Sequence, residues 1–323
     1  MGLALAGAAR ADPVTLRFAW VSAVADAPLL MFGKAGIARH EGTSYRLDAI
    51  RYQGSPPMVT ALATGEIDLA SLGFPTLPPA VLNAGMSDLR IIADLFRDGV
   101  PGFYSNRFVV LKDGPVGTVD DLKGRIAAVN NTGSTIDIAF RAMLEKHGLE
   151  DKRDVTIIEV GFPNMPAMLI GHKVDIIAGG RQFVDDPKFR ASMRTLFTQA
   201  DALGGPSEMG LLAARQSFLD RNRAAIVDFL EDELRARRWY TDPAHHDEAI
   251  DIVAKATKIP VASISEWLLT AADYYRDLKG LPDLDAVRSN IAIERKLGYV
   301  KGAIDTDKLA DLSYVKEAAA RLR

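Results

Sequence analysis

The stretch GSPPMVTALATGEIDLASLG at 54–73 returns in altered form as GFPNMPAMLIGHKVDIIAGG at 161–180. At an offset of 107 positions, Gly54, Pro56, Met58, Leu62, Asp68 and Gly73 meet Gly161, Pro163, Met165, Leu169, Asp175 and Gly180. Each copy follows a strand-like segment, RLDAIRYQ at 46–53 and DVTIIEV at 154–160, the second apolar enough for a strand buried on both faces. A Gly-x-Pro loop then permits a tight turn and presets a helical first turn. In the first copy Ser55 is the expected N-cap, Met58, Ala61 and Leu62 recur at helical spacing, and Gly65 supplies a left-handed stop. IDLASLG and VDIIAGG close the two copies as short strands. Strand, helix and strand with short connections form the βαβ unit of a parallel sheet, so a chain that writes it twice reads as α/β with two lobes.

The repeat extends upstream. RFAWVSAVADAPLLMF (17–32) and RIAAVNNTGSTIDIAF (125–140) align at an offset of 108, each reading as strand, polar loop and helix. FVVLKDGPVGTVDDLKG (108–124) connects the two lobes. After Gly204-Gly205-Pro206 the spacing predicts helices in SFLDRNRAAIVDFLEDELRARRWY, DEAIDIVAKAT and ASISEWLLTAADYYRDL, packing back on the first lobe.

Composition narrows the function classes. A net charge of −3 over 323 residues leaves no basic footprint for nucleic acid or an anionic membrane. The absence of cysteine removes disulfides, thiolate metal sites and thiol nucleophiles. No Walker A, nucleophile elbow, H-E-x-x-H or dinucleotide-binding glycine fingerprint is present. His245-His246-Asp247-Glu248 reads as the polar opening of a helix rather than a metal site, and no cofactor is expected. At the N-terminus, MGLALAGAARADP sets an apolar run before Ala9-Arg10-Ala11, a small-x-small pattern of signal-peptidase type. Residues 1–11 therefore read as a signal-peptide remnant, and the mature chain as exported.

Open parallel sheets bind ligands at the C-terminal edges of their strands, where helix N-termini point outward. The first lobe offers SAVADAP (22–28), QGSPP (53–57) and GFPTLPP (73–79) there; the second offers NNTGST (130–135), GFPNMP (161–166) and GGRQF (179–183). In VNNTGSTID, Gly133 relieves the turn and Ser134-x-x-Asp137 has capping-box spacing. Asn130, Asn131, Thr132, Ser134 and Thr135 then add neutral donors suited to an oxyanion. Arg181 can grip a carboxylate or sulfonate bidentately, or pair with Asp185 or Asp186. Asp26 can face an ammonium group or serve a helix N-terminus. Phe74 and Phe162 can flank an organic body or belong to the core. Gly54, Ser55, Thr76 and Asn164 complete the candidate set from the remaining loops.

The ordered run ALATGEIDLASLG, DLKGRIAAVNNTGST, GFPNMPAMLIGHKVDIIAGG and AARQSFLDRNRAAIVDFL resembles the periplasmic solute-binding proteins of ABC importers. The likeness is strongest to the subgroup taking up alkanesulfonates, taurine, nitrate and thiamine precursors, and it spans the chain from about residue 14. The resemblance implies a type II bilobal fold with crossings near Asn106–Phe108 and Glu208–Gly210. Its lobes would be 12–107 plus 209–323, and 108–208. It also implies a small anionic ligand, closure on that ligand, and delivery by a monomer to an inner-membrane permease. The same resemblance includes the fungal pyrimidine synthases of thiamine biosynthesis, but their cysteine cluster has no counterpart here.

Overall fold

Two five-stranded sheets, each flanked by helices, carry the α/β fold; the computed structural model describes residues 12–22 and 28–322. The expected signal remnant and Asp26 lie outside the described residues. One sheet runs β2-β1-β3-β10-β4, with β1 (Val14–Trp20), β2 (Tyr45–Arg51), β3 (Leu69–Leu72), β4 (Leu89–Asp98) and β10 (Ser207–Arg215). The other runs β7-β6-β8-β5-β9, with β5 (Arg107–Leu111), β6 (Ile126–Val129), β7 (Thr156–Glu159), β8 (Ile176–Gly179) and β9 (Met193–Thr198). The two orders are equivalent. In each, the fourth strand arrives from the opposite lobe and is antiparallel to both neighbours. β10 takes in Glu208–Gly210, where a crossing is expected from the resemblance, and β5 takes in Phe108; both crossings are corrected to lie just before these strands.

The repeated aspartates explain why the sheets match. Asp68 accepts the Arg17 amide on its carboxylate at 3.1 Å and returns its own amide to the Arg17 carbonyl at 2.9 Å. Asp175 does the same to Ile126, at 2.9 and 2.8 Å. Each aspartate thus pins the register of its strand on the neighbour, and a one-residue slip there would turn every side chain to the wrong face. Arg17 is therefore the counterpart of Ile126, and the 108-residue offset of the upstream strands is corrected by one position. β3 and β8 are fully buried, as central strands should be. β7 is not: it forms the sheet edge, with Thr156 and Glu159 exposed and the two isoleucines half-buried, so the expectation of a strand covered on both faces is also corrected.

The lobes are joined between Asp98 and Arg107, and between Thr198 and Ser207 through the helix Gln199–Leu203. The C-terminal part folds back on the first sheet: Ile226, Phe229, Leu230 and Leu234 of the helix Arg223–Tyr240 pack with Phe18, Tyr45 and Leu212. The second sheet is packed by Phe108, Phe140 and Phe197, stacked with centroids 4.4 and 5.7 Å from Phe108. Residues 262–278 do not form the expected amphipathic helix. After a short 3-10 turn, buried Asp273 accepts the amides of Leu269 (3.1 Å) and Tyr274 (2.7 Å), a local side-chain competition that takes donors from a helical ladder.

Candidate functional site

The lobes meet closely. A methyl group built on Gly54 would lie 2.2 Å from Oδ1 of Asn131, and one on Gly73 would lie 2.4 Å from Oγ1 of Thr135. Neither glycine has a positive φ, so their small size serves approach of the opposite lobe rather than backbone freedom. Beside this seam is a chamber of about 70 Å³, lined by residues of both lobes.

The helix Thr135–Lys146 opens into the chamber. Ser134 caps it, accepting the Asp137 amide at 3.2 Å and donating to Oδ1 of Asn130 at 2.8 Å. Asp137 does not complete a capping box; its carboxylate accepts the Gly133 amide and Arg141, both at 2.8 Å, while burial raises its affinity for a proton. The amides of Thr135 and Ile136, both chamber-lining residues, have no intrahelical carbonyl to meet. With the Asn130 side chain and the Thr135 hydroxyl at the seam, they are donors that the lining residues of this lobe bring to the chamber. The opposite wall is poorer in amides, because Pro56 and Pro57 follow Ser55 at the start of the helix Ser55–Thr64. There the hydroxyls of Ser22, Ser55 and Ser71 supply the polar surface. Ser55 also accepts the Gly73 amide at 3.1 Å, tying the two first-lobe loops together.

The back wall is aromatic. Tyr274 stands between Phe96 (5.2 Å) and Tyr104 (5.5 Å), and its hydroxyl donates to Asn106 at 2.7 Å. Asn106 continues to Gln199 (3.2 Å), which donates to Ser207 (2.6 Å), so a buried chain of hydrogen bonds spans both inter-lobe connections. Phe162 and Phe183 stack at 5.4 Å on the other side. Among the described residues, none lining the chamber carries a charge.

That result redistributes the expected site. Gly54, Ser55, Asn130, Ser134, Thr135 and Phe162 line the chamber, and Asn131 sits on its seam. Arg181 does not enter: it pairs with Asp185 at 2.9 Å, donates to the Ala272 carbonyl at 3.0 Å and lies over Trp267. Phe74 is fully buried and packs into the core of the opposite lobe with Phe108 and Phe140. Thr76 is buried with its hydroxyl on the Gly73 carbonyl. Asn164 is exposed, while Thr132 is exposed with its amide on Glu159 and Gly133 lies at the turn behind the seam. His245 and His246 each place a ring nitrogen 3.0 Å from a backbone carbonyl.

Sequence reasoning missed Tyr274, Asn106, Phe96 and Met209, which reach the chamber from the segment mistaken for helix, from an inter-lobe connection and from the paired strands β4 and β10. It had marked the loop GGRQF for its arginine, yet the neighbouring Gln182 and Phe183 face inward. No local pattern marks these residues, since strand pairing across more than a hundred positions brings them together.

The NMT1-like family model matches residues 9–254. Comparison with curated proteins gives no match. Among solved structures, the alkanesulfonate-binding protein SsuA from Xanthomonas axonopodis pv. citri, bound to MOPS, superposes with a TM-score of 0.72 at 18% identity, covering 93% of this chain and 99% of that one. The periplasmic nitrate-binding protein NrtA from Synechocystis PCC 6803 gives 0.74 at 17% identity, covering 96% and 89%. The desulfurization enzyme DSZB gives 0.66 at 16% identity, covering 96% and 100%. At these identities the likeness is one of fold.

Proposed function

The chain belongs to the NMT1-like family, and on that premise we propose that it is the solute-binding component of an ABC-type importer, holding a compact organic or inorganic monoanion between its lobes. The carrying observation is the uncharged chamber at the lobe seam, part hydroxyl and amide and part aromatic, onto which a twelve-residue helix directs its N-terminus. A helix N-terminus contributes roughly 0.3–1 kcal/mol toward an anion and a charge-assisted hydrogen bond roughly 1.5–3. Several contacts from both lobes are then needed for micromolar affinity, about −8 kcal/mol. At about 70 Å³ the chamber is far below the roughly 300–1,000 Å³ of a drug-sized site, which favours a ligand of few heavy atoms over an extended aromatic acid. The moving bodies are the two sheets with their helices, hinged in the stretches between Asp98 and Arg107 and between Thr198 and Ser207, in a periplasmic monomer that presents its ligand to a permease.

The fold likeness to DSZB raises an enzymatic reading. The chamber supports binding instead: its hydroxyls have no histidine, carboxylate or lysine beside them among the lining residues to act as base. A thermal-shift panel of nitrate, small carboxylates, alkanesulfonates, taurine, benzoate, sugars and amino acids tests the proposal. A monoanion at about a hundred times its dissociation constant should stabilise the protein by ~2.7 kcal/mol, or several degrees. Thr135→Val should weaken that ligand by roughly 1–3 kcal/mol, whereas Arg181→Ala should leave it unchanged. Stabilisation by uncharged sugars alone would sink the anion assignment.

A further inference from the structure

Behind the seam lies a second inter-lobe cavity, of about 320 Å³, separated from the chamber by the Gly54–Asn131 and Gly73–Thr135 contacts. Its walls are largely apolar: Pro56 and Val59, Pro75 and Pro79, and Ile138 from the other lobe. Glu294, from the helix Leu284–Lys296, also lines it, is 2% exposed, and has an Oε1 without a hydrogen-bond partner. Leaving a buried carboxyl oxygen unmatched is costly, and native proteins keep such groups where something else completes them.

Three of the donors around this cavity are already committed, while the Asn83, Thr60 and Tyr299 side chains line it without reaching the Glu294 Oε1. The Thr132 amide goes to Glu159 at 2.8 Å, the Gly133 amide to Asp137 at 2.8 Å, and the Thr76 hydroxyl to the Gly73 carbonyl at 2.7 Å. Among the described residues, no lysine, arginine or histidine lines it. Segments 55–64 and 74–83 contain no charged residue at all. The charges on the flanking helices are engaged elsewhere: Arg141 with Asp137 and Asp151, Lys296 with Glu145, Lys146 with the Asp201 carbonyl, Arg288 with Asp285 and Asp307, and Arg295 with the Gly302 carbonyl. What the cavity offers is an acceptor with apolar surroundings.

We propose that this cavity is a second binding site, taking a small primary alkylammonium whose N–H groups meet Glu294 and whose alkyl body lies against the prolines, Val59 and Ile138. Because residues of both lobes line it, its occupant favours the closed arrangement. Burial with no compensating charge pushes the Glu294 carboxyl up to about 8, so the ammonium should bind more tightly as the carboxyl ionises.

Isothermal titration of the full chain with n-propylammonium chloride, no other ligand present, tests this site independently of the anion chamber. Saturable binding is expected, with the dissociation constant falling about tenfold from pH 7 to pH 9. Tetramethylammonium, which has no N–H, should not bind. Glu294→Gln should abolish binding with the fold retained by circular dichroism, and Thr60→Phe, placed at the exposed rim, should block it with Glu294 intact. Absence of propylammonium binding to the wild type, or equal binding by Glu294→Gln, overturns the proposal.

Discussion

The two lobes share one sheet plan but are finished by different physics. The second is packed by a stack of phenylalanines, Phe108, Phe140 and Phe197, and its most enclosed ion pair, Asp137 with Arg141, keeps the arginine partly exposed. The first encloses charge. Arg237, with no exposed surface, bonds Glu233 at 2.6 Å, the Asp94 carbonyl at 2.7 Å and the Asp277 carbonyl at 2.6 Å, and Arg97 reaches Glu208 at 2.9 Å. Burial raises the carboxyls of Asp94, Glu208 and Glu233 against the pull of these guanidiniums. The reason lies in the chain's course. The first lobe must also anchor the irregular segment through 273–283, and a guanidinium that collects backbone carbonyls can hold a loop that offers no regular face to pack. Among the described residues the second lobe carries no such appendage, so stacked rings suffice.

The hardest test of this contrast is substitution by apolar residues of similar bulk. Arg237→Met should cost about 3–5 kcal/mol by urea denaturation, because it strands Glu233 and leaves Asp94 with Arg97 alone of its two guanidiniums. Phe197→Leu in the second lobe should cost only roughly 1–2 kcal/mol, since the site stays apolar. Equal losses would erase the distinction.

The ends of β4 and β9 sharpen the contrast further. Asp98, fully buried, accepts Ser105 and the Asn106 amide, both at 2.6 Å; its counterpart Thr198 caps the helix Gln199–Leu203 with Asp201. Burial pushes Asp98 up to about 7, so the folded state binds its proton more tightly than the unfolded chain. Its stabilising contribution is complete below about pH 4 and is lost as pH rises to about 7. Relative to wild type, Asp98→Asn should gain stability across that window by on the order of 3–4 kcal/mol, whereas Thr198→Ala should show no such pH dependence. Parallel pH profiles for wild type and Asp98→Asn would remove the charge from the account.

A smaller effect is expected at the seam. Gly73→Ala places a methyl group against Oγ1 of Thr135, whose β-branched side chain has little freedom to retreat. The variant should fold normally yet bind the cleft ligand about tenfold more weakly, and small-angle scattering should show no compaction on adding ligand. Normal compaction would mean that the glycine is not there for closure.

The smallest effect lies in the repeat itself. Gly65, at φ 75°, and His172, at φ 53°, end equivalent helices in the left-handed region, and only the first is a glycine. His172→Gly should be neutral or stabilise by up to ~1 kcal/mol, as relief of backbone strain competes with a more flexible unfolded chain. A loss above that would reveal a contact made by the imidazole.

These differences also mark what was legible in the sequence. The βαβ units and Asp68 and Asp175 recur at a fixed spacing because local geometry demands them, and they located both sheets and six of the residues that line the chamber, although Ser55, the expected N-cap, is the first residue of its helix and Gly54 precedes it. The registers escaped by one residue, since matching letters cannot sense which amide faces which carboxylate. Tyr274 and Asn106 escaped because nothing within ten residues of either specifies a neighbour across the molecule. Arg181 drew attention as a cation beside a strand end, but a carboxylate four residues on is closer at hand than any ligand.

The lack of charged side chains in the chamber bears on how the protein behaves as its medium changes. A guanidinium clamp loses grip as salt rises, because mobile ions compete for it over a Debye length of about 10 Å at 0.1 M. Amide dipoles and hydroxyls sealed between two lobes are screened far less. Capture of a small anion through such groups, as proposed, should hold nearly constant from dilute to brackish conditions.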